Sequence, residues 1–229
     1  MEKFTFGQQM LHFLESIVTQ LSQFAHALNT CTPETFLRIG TLYPEMSVHE
    51  KSVDFYIDLL RKNALDENVP LENLEKSLAY FQHIYPQHLS SERIDFPSYL
   101  AGNLKAIGSA VDSLSADVAI GKLLLQEGQE NTEVGTTLKT SEAELAELKV
   151  TVKAMRRRLP HDGSDAAVSF PASTAAKLGE VSQSLTPLVR SFHVFGRSSA
   201  QQAGLQGDAA LTAVKLSELL HQAIDKVSN

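Results

Sequence analysis

His49 and Glu50 are neighbours, as at the start of a zinc-protease helix. There a second histidine four residues after the first completes the metal site, and the glutamate activates water. Position 53 is Val53, so the second ligand is missing and that reading fails. His83 and His88 stand five apart with Pro86 between them, which points them to different faces of any helix, so they read as ordinary surface or half-buried histidines. Gly121-Lys122-Leu123 lacks the glycine run and the hydroxyl residue of a phosphate loop. The serines fall in caps, loops or polar helix faces, and none sits in a nucleophile elbow. Cys31, between Thr30 and Thr32, is the single cysteine. It permits no internal disulfide and no four-thiolate metal site, and reads as a small structural apolar residue. No enzyme, no metal site and no cofactor is expected.

Charge carries the stronger signal. Lys149, Lys153, Arg156, Arg157 and Arg158 form one dense cationic cluster. It reads either as a solvated helix end or as a docking patch for an acidic partner. Glu127, Glu130 and Glu133, followed by Glu142, Glu144 and Glu147, supply the opposite sign nearby. They read either as a solvent-facing acidic stripe or as the far end of a dipolar rod that lies against another protein.

The elements that must position these charges are helices. Apolar residues recur at alternating spacings of three and four, the mark of a helix with one buried stripe. The first run is Leu11, Leu14, Val18, Leu21, Ala25, Leu28, widened by Phe13, Ile17 and Phe24. Val53, Ile57 and Leu60 make a second, and Leu71, Leu74, Leu78, Phe81 and Tyr85 a third, which assigns Tyr80, Phe81 and Tyr85 to core. The fourth runs from Leu100 to Leu125 and the fifth from Leu138 to Leu159. Leu178 to Phe195 form the sixth, and Leu211 to Ile224 a weaker seventh. No period-two stretch competes, so the fold is expected to be all-α, an elongated multi-helix bundle.

The fourth and fifth runs keep a seven-residue repeat and are joined by a short connection around Glu127 to Glu133, which predicts a long antiparallel hairpin over 98–159. Ser47-Val48-His49-Glu50 reads as a capping box, Thr32-Pro33 as a helix start, and Asp95 or Ser98 as the start of the fourth helix. Arg156 to Arg158 suit the negative end of the fifth helix. Pro44, Pro70, Pro86 and Pro160 separate runs, and Pro187 should kink or split the sixth. Gly108 and Gly121 would let another backbone approach closely, or would weaken the helix. Two divisions follow: an N-terminal helical lobe over 1–92, and a C-terminal helical bundle over 93–229 with a loop at 160–170.

The 229 residues hold 20 Lys plus Arg against 27 Asp plus Glu, a net charge of −7, with 43% hydrophobic residues. That is apolar enough for a core and too apolar for a disordered tail. The net acidity argues against non-specific nucleic-acid or anionic-membrane binding. No stretch approaches the ~18 apolar residues of a membrane span, and Met1 to Phe6 begin no signal peptide. A cytoplasmic protein in a reducing compartment is expected.

One stretch, Leu42-Tyr43-Pro44-Glu45-Met46-Ser47-Val48-His49-Glu50-Lys51-Ser52, resembles the large (Glued) subunit family of dynactin. The resemblance continues in order through Leu65 to Val69, Tyr80 to Tyr85, Gly128 to Thr132 and Arg156 to Pro160. It implies a globular segment between that family's two coiled-coil regions. It also implies membership of the activator of cytoplasmic dynein in microtubule-based cargo transport, and a cytoskeleton-associated location. Other dynactin subunits, dynein and cargo adaptors are the implied partners, with a homodimer as a further option. The family's glycine-rich microtubule-binding domain has no counterpart here, so direct microtubule binding does not transfer, and the family offers no catalytic residue. The expected function is a non-enzymatic helical interaction and spacer module, the alternative being a purely structural or dimer-supporting one. The candidate contact residues are Lys149, Lys153, Arg156, Arg157, Arg158, Glu127, Glu130 and Glu133.

Overall fold

The computed structural model describes residues 2–159, 170–206 and 213–228. These hold eight helices and no strand: α1 (Glu2–Thr30), α2 (Pro33–Gly40), α3 (Tyr43–Arg61), α4 (Glu72–His88), α5 (Phe96–Leu123), α6 (Glu133–Arg157), α7 (Ala172–Gln206) and α8 (Ala213–Ser228). The described residues are thus all-α, and each apolar run falls mainly on a helix, with Leu71, Leu125 and Leu159 just beyond the ends and Leu211 outside the described residues. The boundary expected near 93 falls between α4 and α5; the loop expected at 160–170 lies, but for Phe170, outside the described residues.

Some start and stop signals act as read. Thr32 accepts a hydrogen bond from the Thr35 amide at 3.3 Å, with Pro33 in the first turn of α2. Others do not. Helix α3 begins at Tyr43, so Ser47 and Glu50 lie inside it and form no capping box. Pro44 explains the earlier start: its preset φ suits a first turn, where its missing N–H is not needed. Pro86 stands in the last turns of α4 rather than after it. Pro187 does not split the sixth run, because α7 continues through it. Buried Leu185 and Val189 on either side pack into the core with α5, and that burial outweighs one lost backbone hydrogen bond.

Helix α1 departs most from expectation. The expected buried stripe at Leu11, Val18, Leu21 and Ala25 is exposed. The residues that widen it, Phe13, Ile17 and Phe24, are buried as expected, Leu14 and Leu28 are half-buried, and a further face is buried as well. Phe6, Met10, Phe13 and Ile17 join Tyr56, Leu71, Leu74 and Leu78 in one core, and Phe24 and Ala27 join Ile39, Phe81, Ile84 and Leu89 in the next. The second buried face is polar: Thr5, Gln9, His12, Ser16, Thr19 and Gln23, at spacings of three and four. It lies against α5. His12 Nδ1 donates to the Ala106 carbonyl at 3.1 Å, so Nε2 accepts from the Thr186 hydroxyl at 3.2 Å. Burial holds the His12 imidazole below its ordinary pKa, and therefore neutral. A similar exchange occurs on α3, where Tyr56 is buried while Ile57 and Leu60 are exposed.

Helix α5 lies against α1, α6 and α7 together. Small residues make this possible. A Cβ at Gly102 would sit 2.6 Å from the Thr19 hydroxyl of α1, and one at Gly121 would sit 2.7 Å from the Phe195 ring of α7. The close neighbours at Gly121 are side chains rather than a second backbone. Leu104, Ile107, Val111 and Leu114 meet Val152, Leu185 and Val189 in a third core. Val118 meets Leu138, Phe195 and the α8 residues Leu216, Leu219, Leu220 and Ala223 in a fourth. Asp117 of α5 is fully buried, and neither of its carboxylate oxygens has a hydrogen-bond partner among the described residues. His193 Nδ1 stands 3.7 Å from it. Burial pushes the Asp117 carboxyl above the usual carboxylate range, and His193 offsets only part of this.

Phe13 is 0% exposed and Val18 is 56% exposed on the same helix. Phe13→Ala should cost about 3–5 kcal/mol in denaturant unfolding, and Val18→Ala no more than about 0.5 kcal/mol. Asp117→Asn should raise the thermal midpoint at neutral pH. Because the native carboxyl is raised, its contribution is complete below the unfolded value of about 3.9 and is lost as pH rises through the native value. The advantage of the Asn variant should therefore shrink as pH falls towards 4 (roughly the carboxylate range), measured by thermal scans across pH.

Candidate protein-binding surfaces

The hairpin bend, residues 124–132, is held by its own polar groups. Gln126 and Gln129 pair through their side chains, with the Gln129 amide donating to Gln126 Oε1 at 3.1 Å. Thr132 donates to the Gln129 carbonyl at 2.7 Å and caps α6 by accepting from the Gly135 amide at 3.3 Å. Gly128 has φ +86°, a region glycine enters freely. Gly135 is forced for a different reason: a Cβ there would run into the carbonyl oxygens of Gln129 and Glu130. Glu127, Glu130 and Glu133 are all exposed around this bend. Glu133 also stands in the first turn of α6, where a negative charge is favoured.

Helix α6 then runs back along α5. Two ion pairs cross the hairpin, Lys122 to Glu142 and Lys149 to Asp112, each at 2.5 Å and each partly exposed. Such exposed pairs contribute little, about 0–1 kcal/mol each. Lys149 is therefore engaged within the fold. Lys153, Arg156, Arg157 and Arg158 are exposed and take part in no ion pair among the described residues. The acidic bend and this basic end lie at opposite ends of a helix about 37 Å long at 1.5 Å per residue, so the structure does not bring the two groups together.

The structure adds neighbours that the sequence did not single out. Helices α1 and α6 both lie along α5 without a sizeable contact with one another. An open groove of about 250 Å³ remains between them. Leu11 and Glu15 form its α1 wall, Lys105, Gly108 and Asp112 its floor, and Lys149, Val152, Lys153 and Arg156 its α6 wall. Arg157 and Arg158 stand outside it. Lys105 had no signal in the chain, since a single lysine within an apolar repeat looks like any solvated residue. Leu11 carried a misleading one, because its spacing assigned it to the core.

A second cavity, of about 270 Å³, opens between α1, the start of α4 and α7. Two of its cations are engaged: Arg190 meets Glu75 at 2.6 Å, and Arg197 donates to Asn68 at 3.3 Å, while Glu67 Oε2 is buried there without a hydrogen-bond partner among the described residues. His49 stacks on Tyr80 with ring centroids 4.3 Å apart and shares a 3.0 Å hydrogen bond with Ser77. His83 is exposed and accepts from Gln87 at 2.9 Å. Cys31 is half-buried beside the Leu28 carbonyl.

Residues 1–159 match the family described as Dynactin: Dynein associated protein. The chain is 31% identical over 230 residues to dynactin subunit 1 of Xenopus laevis, a match covering 99% of this chain and 19% of that protein. It is 34% identical over 203 residues to dynactin subunit 1 of Gallus gallus, with 87% of this chain and 17% of that one covered. Dynactin subunit 1 of Drosophila melanogaster is 32% identical over 162 residues, 70% of this chain and 13% of its own. The chain spans about a fifth or less of the length of these curated relatives.

Gly135→Ala should open the bend, because backbone carbonyls rather than a flexible side chain stand where the methyl would go. A loss of about 1–3 kcal/mol is expected in chemical unfolding, with faster amide hydrogen exchange over 124–132.

Proposed function

The chain belongs to the dynactin family, and from that premise we propose that it is a non-enzymatic helical interaction and spacer segment serving dynein-associated transport. The family match over residues 1–159 carries this reading. Its helices are long and braced on one another, which suits a body that sets the distance and angle between neighbouring parts. Partners of this kind, other dynactin subunits, dynein and cargo adaptors, are recognised through surface charge and apolar contact. The exposed basic end of α6 and the exposed acidic bend are the two charged surfaces offered. Cationic groups held at a helix C-terminus suit an acidic patch on a partner, where rim charges govern the encounter rate more than the final affinity. The proposed setting is the cytoplasm, on the cytoskeleton.

A second reading is a structural module that supports a dimer. The exposed row Phe4, Leu11 and Val18, seven residues apart on α1, favours it, since that is the spacing of a coiled-coil seam. Light scattering separates the two: a stable dimer weakened by Leu11→Gln would favour the structural module.

Arg157→Glu with Arg158→Glu in the full-length subunit should reduce recovery of dynein or adaptor in pull-downs from purified components by about threefold to tenfold, more strongly at low salt than at high. Unchanged recovery at both salt concentrations would remove the basic end from the contact surface.

A further inference from the structure

We propose that the groove between α1 and α6 is a docking site for an amphipathic helix that is acidic along the edge facing α6. The inference rests on the reading of this chain as an interaction module, and names what one of its surfaces takes.

The shape comes first. Helices α1 and α6 run parallel to each other and antiparallel to α5. His12 meets Ala106 while Gln23 reaches Asp95, and Lys149 meets Asp112 while Glu142 meets Lys122. The floor between them is lined by Gly108, whose missing side chain leaves the α5 backbone open to close approach. A Cβ there would touch only Val152, at 3.7 Å. Two walls running in one direction over a small-residue floor present the ridge-and-groove surface that another helix fits.

The chemistry narrows the occupant. Leu11, 42% exposed, is followed and preceded at seven-residue intervals by exposed Val18 and Phe4. A row with that repeat matches the apolar stripe of a helix lying alongside, and an isolated small molecule would leave most of it uncovered. The opposite rim is cationic. Lys153 and Arg156 line it, Lys105 adds a third cation from the α5 floor, all three are exposed, and none has an ion pair among the described residues. Lys149 is already neutralised by Asp112. On the α1 side stands Glu15, which is also part of the lining. The field across the groove is therefore positive along α6 and negative along α1. A helix with Glu or Asp along one edge and Lys or neutral residues along the other is the complement, and a uniformly basic helix is repelled.

The test uses the full 229-residue chain and two designed peptides with the same leucine stripe, one flanked by Glu and one by Lys, read by fluorescence anisotropy. The Glu-flanked peptide should bind about tenfold or more tighter at low salt, with the gap narrowing as salt rises. Gly108→Leu, which fills the floor, and Leu11→Gln, which removes the apolar wall from an exposed position, should each weaken it by about tenfold. Lys153→Glu with Arg156→Glu should reverse the preference. Circular dichroism controls for the fold of Gly108→Leu, and the exposed Leu11→Gln variant keeps the test decisive if that one unfolds. Equal binding of both peptides, no saturable binding, or a dimer that buries Leu11 would overturn the proposal. So would an acidic preference that survives both Gly108→Leu and Leu11→Gln. That last outcome would leave the basic end of α6 as a contact surface while eliminating the groove, which separates this inference from the broader reading.

Discussion

The contact between α1 and α5 is the most extensive of those that join the N-terminal helices to the C-terminal ones, and it buries many polar groups. Thr5, Gln9, His12, Ser16, Thr19 and Gln23 are buried there, against a helix carrying Asn103, Ser109, Ser113 and Asp117 on its own buried surface. Such a seam cannot rely on apolar transfer alone. It relies on close approach, which Gly102 allows at Thr19, and on particular bonds such as that from His12 to Ala106. Burying a polar group costs free energy unless it is paired, so each unpaired one, Ser16 and Ser113 among them, reduces the net stability of the seam. The apolar cores on either side bear that cost. The seam fixes the relative placement of the helices that form the groove.

Helix content was readable because long periodic runs outweigh every local detail. The α5 repeat from Leu104 to Val118 is buried as its spacing predicts, and so is the α4 repeat from Leu71 to Phe81. Helix α1 misled for a definite physical reason. It is apolar on two faces and small and polar on a third, and spacing alone does not tell which apolar face meets a neighbour. The seven-residue row at Leu11 and Val18 looked like core, and the row at His12 and Thr19 carries no apolar signal. The structure exposes the first row and buries the second, where Gly102 lets α5 approach Thr19 closely and His12 finds hydrogen-bond partners. The proline at 187 and the serine at 47 show the same limit from another side. Local propensity sets a preference of a few kcal/mol at most, and tertiary burial overrides it.

The charged candidates show a similar division. Arg156 to Arg158 and Glu127 to Glu133 were visible as clusters because charge density along a chain survives folding when the element is a single helix or turn. Lys105 and Glu15 were not visible, because their significance comes only from lying across α5 from residues far away in sequence. Lys149 looked like part of a free cluster and is engaged by Asp112.

The fit at Gly121 fixes how α5, α6 and α7 lie lengthwise. The ring of Phe195 and the branched end of Leu138 fill the space that a side chain at Gly121 would need. A slip of one turn, about 5.4 Å, would bring Asp117 or Leu125 beneath that ring, and neither leaves room for it. The lengthwise register is therefore pinned where Phe195 and Leu138 meet Gly121. Under axial tension the hairpin would behave as a strut with one permitted length, stiff until it detaches.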